Sequence, residues 1–73
     1  MSEAKKLTPF GKLVVKALTD QDMTKTELAK RTGTSPAYLS FILYGRRPPG
    51  KHLPAIMFTL GLDPRAVEQA LAA

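Results

Sequence analysis

Four helix starts are written into a chain of only 73 residues, and they confine every helix to a few turns. Thr8-Pro9, Ser35-Pro36 and Asp63-Pro64 each pair a capping side chain with proline at the first helical position. The Thr, Ser or Asp oxygen accepts from a first-turn amide, and proline has no amide there to leave unpaired. Thr24 is followed three residues on by Glu27, the capping-box pattern in which each side chain satisfies the other's backbone amide. Gly33 and Gly45 supply the stops.

Between these marks the apolar residues keep helical spacing. In the first helix Phe10, Leu13, Val14, Ala17 and Leu18 form one stripe, with Lys12 and Lys16 on the opposite face. Asp20, Gln21 and Asp22 break the pattern and read as a loop. In the second helix Leu28 and Ala29 face inward, and Lys30 and Arg31 sit at the end where the helix dipole favours cations. The third runs from the Ser35 cap to Tyr44. Pro48 and Pro49 then stiffen a loop. A fourth helix over residues 51–60 buries Leu53, Ile56, Met57 and Leu60, and tolerates Pro54 because it lies in the first turn. The fifth, capped by Asp63, turns Val67, Ala70 and Leu71 inward. No strand alternation, repeat or low-complexity tract interrupts the series. The expectation is an all-α, five-helix domain over residues 8–73, preceded by a flexible polar segment, residues 1–7.

Composition removes several classes of function. There is no cysteine and a single histidine, His52, so neither a thiolate nor a multi-histidine metal site can be assembled. No apolar run approaches the roughly 20 residues that span a bilayer, and the opening MSEAKK lacks a secretory signal's apolar stretch. A cytoplasmic protein without cofactor, metal, membrane or small-molecule ligand is expected. Glu27 and Asp63 are accounted for by their caps, and no nucleophile motif or phosphate-binding glycine loop is present, so an enzyme is not expected. The net charge of +5 is localised. Residues 24–51 hold Lys25, Lys30, Arg31, Arg46, Arg47 and Lys51 against Glu27 alone, while acids and bases balance elsewhere. A localised excess of this kind is what a polyanion-binding surface requires, although a solvated basic face has the same composition.

The stretch MTKTELAKRTGTSPAYLSFILYGRRPP resembles the Cro/repressor-type, lambda-repressor-like helix-turn-helix family. Thr24, Glu27, Leu28, Ala29, Gly33, Ser35, Tyr38, Leu39, Ser40, Ile42 and Gly45 fall on family-typical residue types, and phage Cro proteins are the implied relatives. The resemblance implies that helices 2 and 3 form the motif, with helix 3 in the major groove of double-stranded DNA. It also implies a transcription regulator. The expected mode is repression, as a homodimer occupying a pseudo-palindromic operator with half-sites about 34 Å apart, since so short a chain leaves no room for an effector domain. Thr24, Lys25, Arg46, Arg47 and Lys51 are then the expected phosphate contacts, which supply affinity and registration without reading sequence.

Helix 3 itself carries no charge and no Asn or Gln. Leu39, Ile42 and Leu43 make its inward stripe, and Ala37, Phe41 and Tyr44 point the other way, with Tyr38 and Ser40 at the margins. Pro36 stands where relatives often place a glutamine that grips adenine, and Thr34 where they often place an aliphatic plug. Readout is therefore expected through the thymine methyl by Ala37 and Phe41 and through hydroxyls of Ser35, Tyr38, Ser40 and Tyr44, supplemented by groove shape. A different reading makes Phe41 and Tyr44 a protein-binding patch of an antitoxin-like or regulatory interaction module, and a third buries them. Leu60, Leu62, Val67 and Leu71 are open to two readings, dimer surface or core.

Overall fold

The computed structural model describes residues 6–72. The helices are α1 (Pro9–Asp20), α2 (Lys25–Thr32), α3 (Pro36–Leu43), α4 (Leu53–Leu60) and α5 (Pro64–Ala72), with a single 3-10 turn, Gly50–His52, ahead of α4. The expected five-helix architecture is the one found. Residues 1–5 of the expected flexible segment lie outside the described residues; of the remaining two, Leu7 packs on the core.

Three of the helices are only eight residues long, below the roughly 12–15 residues at which an isolated helix becomes marginally stable. They persist because each buries its apolar stripe against the others. Phe10, Val14 and Leu18 of α1 meet Leu28 and Ala29 of α2 and Leu39, Ile42 and Leu43 of α3; Ile56 and Leu60 of α4 and Val67 of α5 close the core. Leu13, Ala17, Leu53, Met57 and Ala70 are partly buried around it, close to the inward stripes read from the sequence. α1 spans the domain, packing on α3, α4 and α5, while α2 packs on α3 and α4. Ala29 is fully buried, and its small side chain permits the close approach of the motif helices.

Four details differ from expectation. First, α1 continues through Asp20, because the Gln21 N–H still finds the Ala17 carbonyl at 3.0 Å; the Gln21 side chain then donates to the Leu60 carbonyl at 2.7 Å and ties α1 to the end of α4. Second, only half of the capping box forms. Thr24 Oγ1 accepts from the Glu27 amide at 3.1 Å, but the Glu27 carboxylate turns to Arg31 one helical turn on, at 2.6 Å. Third, α4 begins at Leu53. Pro54 has no N–H to offer the Gly50 carbonyl, so the preceding turn closes in the tighter 3-10 form, with the Leu53 amide bonded to Gly50. Fourth, Leu71 is not inward but 44% exposed, at the open end of α5.

The remaining caps hold as read. Thr8, Ser35 and Asp63 each accept from a first-turn amide. Gly33 ends α2 in the left-handed region at φ 75°, where other residues are strained, and the Thr34 amide reaches back to Ala29 at 2.9 Å. The α2–α3 turn is thus fixed by its backbone. Thr32, buried behind it, donates its hydroxyl to the Leu28 carbonyl at 2.8 Å. No helix among the described residues is long and apolar enough to cross a membrane.

Candidate nucleic-acid interface

α3 divides by burial as its spacing requires. Leu39, Ile42 and Leu43 lie in the core, whereas Ser35, Pro36, Ala37 and Phe41 are exposed. Ser40, Tyr38 and Tyr44 are half-buried at the edges of the exposed face. Phe41 keeps 41% of its surface in solvent, which removes the reading in which the helix is buried on both sides.

The basic residues gather around this face through backbone geometry. The amides of Arg46 and Arg47 both donate to the Phe41 carbonyl, at 2.8 and 3.3 Å, and fold the chain sharply back over the end of α3. Arg46, Arg47 and Phe41 line a shallow depression of about 200 Å³. The expected base-reading residue Phe41 and the expected phosphate residues Arg46 and Arg47 therefore share one surface. On the other motif helix, Thr24 and Lys25 stand at the N-terminus of α2, where the Lys25 and Thr26 amides lack an intrahelical acceptor and the helix dipole favours an anion. Lys25 Nζ lies 5.8 Å from the centre of the Tyr44 ring, within cation–π range. That contact joins the start of α2 to the end of α3, and it covers part of a ring expected to face DNA.

Tyr38 has an aromatic neighbour that the sequence did not reveal. Its ring meets His52 edge to face, 5.5 Å between centres, so the 3-10 turn carrying Lys51 is braced against α3. His52, read as a residue beside the basic loop, is half-buried there. Among the described residues the only ion pair is Glu27–Arg31, so Arg46, Arg47 and Lys51 carry charge that no carboxylate in that set neutralises. All three are exposed.

A family model described as helix-turn-helix matches residues 15–67. The chain belongs to the helix-turn-helix family. The match opens within α1, takes in α2, α3 and α4 entirely, and ends within α5. With five helices and no strand among the described residues, the protein has the all-α, lambda-repressor-like form of the helix-turn-helix fold. This assignment supports a DNA-binding transcription regulator. Searches of curated proteins and of solved structures return no match.

The apolar residues considered for self-association fall on both sides of the surface. Leu60 and Val67 are core, 4% and 2% exposed, because each sits on the inward stripe of its helix. Leu62 is packed partly against that core. The outstanding exposed apolar residue is instead Phe58, at 89%. Ile56 and Leu60 are both buried, and the residue midway between them must point to the opposite side of α4, a signal the helical spacing already contained.

Proposed function

We propose that the protein is a sequence-specific regulator of transcription that binds double-stranded DNA as a homodimer and represses by occupying its operator. The observation that carries this reading is the exposed face of α3 bordered by Arg46 and Arg47, which the Phe41 carbonyl holds at the end of the reading helix. In this reading α3 enters the major groove and α2 lies across the backbone. Thr24, Lys25, Arg46, Arg47 and Lys51 take phosphates, and Ser35, Ala37, Tyr38, Ser40, Phe41 and Tyr44 face the base edges.

Recognition in this form depends little on directed hydrogen bonds. A hydroxyl both donates and accepts and so discriminates weakly between bases. Ala37 and Phe41 are suited to the thymine methyl, and the flanking cations favour a duplex whose grooves present phosphates at the right separation. The homodimer reading rests on Phe58, whose apolar surface gains most from being covered, and a two-fold pair of domains matches a pseudo-palindromic operator. Selection of bound sequences from a random duplex pool at fixed salt tests the whole reading: a two-fold symmetric consensus is the expected result, and no enrichment would overturn it.

A second reading, a protein-interaction module, is favoured by the exposure of Phe41 alone. Salt separates the two. Binding through phosphates weakens steeply as salt rises, and binding through an aromatic patch does not.

A further inference from the structure

Away from the α3 face, an open groove of about 410 Å³ runs between the start of α1, the loop after α3 and the end of α5. Phe10 and Ile42, both buried, make its floor, and Pro48, Ala70 and Leu71 its walls. Among the described residues, the one charged residue that lines it is Arg47, and no carboxylate does. The groove has room for roughly one or two large apolar side chains and lies at the low end of the usual range for ligand sites. Its form argues against an enclosed small-molecule site. Pro48, Leu71 and Arg47 on its rim are exposed, so an occupant would remain partly in water, as the anchor residue of a peptide does.

Arg47 also lines the depression it shares with Phe41 and Arg46 on the DNA-facing side. Arg47, a candidate phosphate contact, thus borders both the apolar groove and the depression beside α3. An apolar floor with a cation at its rim, unpaired among the described residues, is complementary to a segment that carries a large apolar side chain beside carboxylates. We propose that the groove docks an acidic, apolar peptide segment of a partner protein, and that Arg47 makes such docking exclusive of duplex binding. The exclusivity rests on the DNA-binding reading above; the docking does not. A carboxylate that draws the guanidinium toward the groove removes it from a phosphate, and by linkage a bound duplex weakens the peptide by the same factor.

The test uses the full chain, isotope-labelled for amide NMR, with the synthetic peptide Asp-Asp-Phe-Leu-Asp-Glu and a counterpart in which lysine replaces each acid. The expected result is saturable shifts at the amides of Arg47, Ala70 and Leu71, with affinity at least ~10-fold above that of the lysine peptide. Adding a duplex that the protein binds should reverse those shifts. Ala70→Trp, which fills the groove, should abolish the peptide shifts and leave duplex affinity unchanged. Should that variant misfold, the wild-type shift map decides alone. Shifts that fall elsewhere, or equal binding of both peptides, would overturn the docking, and simultaneous binding of peptide and duplex would overturn the exclusivity. Failure of the free protein to bind any duplex would count against the DNA reading, while the peptide shifts would still decide the docking.

Discussion

Gly11 lies directly against the carbonyl of Leu43, so closely that a methyl group on Gly11 would collide with the carbonyl oxygen. The same carbonyl accepts from both the amide and the hydroxyl of Thr8, each at 3.1 Å. The first turn of α1 therefore clamps the last turn of α3, and the orientation of α3 is set by backbone contact as well as by core packing. The obstructing atom is main chain and cannot swing aside as a side chain could. Gly11→Ala should lower stability by about 1–3 kcal/mol, the usual range for overpacking. Urea unfolding followed by circular dichroism measures it, and a change within a few tenths of a kcal/mol would show that the two helices are free to separate.

Arg46 and Arg47 bring to the α3 surface two charges that no carboxylate among the described residues neutralises. Removing both, as Arg46→Ala with Arg47→Ala, should weaken binding to every duplex alike and flatten the salt dependence. For two lost phosphate contacts, the slope of log affinity against log salt should fall in magnitude by about 1.8. Both side chains are exposed, so the melting temperature should scarcely move. Anisotropy titrations at several salt concentrations supply the slope, and an unchanged slope would place the phosphate contacts elsewhere.

The fold was legible in the sequence because its evidence is local. Thr8, Thr24, Ser35 and Asp63 each cap the helix they announce, and the spacing of Leu39, Ile42 and Leu43 fixed which side of α3 is inward. Competition between partners was harder to read. Glu27 had two acceptable bonding targets, and the longer reach to Arg31 gained a charge-assisted bond that the cap could not match. The meetings of Tyr38 with His52 and of Lys25 with Tyr44 join residues 14 and 19 positions apart, and helical periodicity carries no information at that separation. Leu71 was misplaced because periodicity gives a face but not whether another element covers it. At the end of α5, nothing among the described residues covers it fully.

Phe41 should affect specificity more than stability. With 41% of its surface exposed, Phe41→Ala removes less core contact than truncation of a buried phenylalanine, which costs about 3–5 kcal/mol. If its ring meets a thymine methyl, the variant should lose discrimination at a single position of each half-site, by roughly 1–3 kcal/mol, and retain affinity for nonspecific duplex. Parallel selections with the wild type and the variant give the comparison. A uniform loss over all sequences would instead identify the Phe41 ring as a support for Arg46 and Arg47, with which Phe41 lines one depression.

Phe58 offers the sharpest test of self-association. It stands 89% exposed on the side of α4 away from the buried Ile56 and Leu60, so Phe58→Ser should leave monomer stability within about 0.5 kcal/mol. Burying an aromatic side chain is worth roughly 1.5–3 kcal/mol, and a two-fold interface buries the residue twice. Loss of both copies should therefore raise the dimer dissociation constant by at least ~100-fold, as sedimentation equilibrium would register. Operator binding should then fall toward the affinity for an isolated half-site, while half-site binding itself is unaffected. If the variant still sedimented as a dimer, the association surface would have to be sought around Leu62 or the exposed end of α5; if the wild type were monomeric at operator-saturating concentrations, the two-fold model of recognition would fall with it.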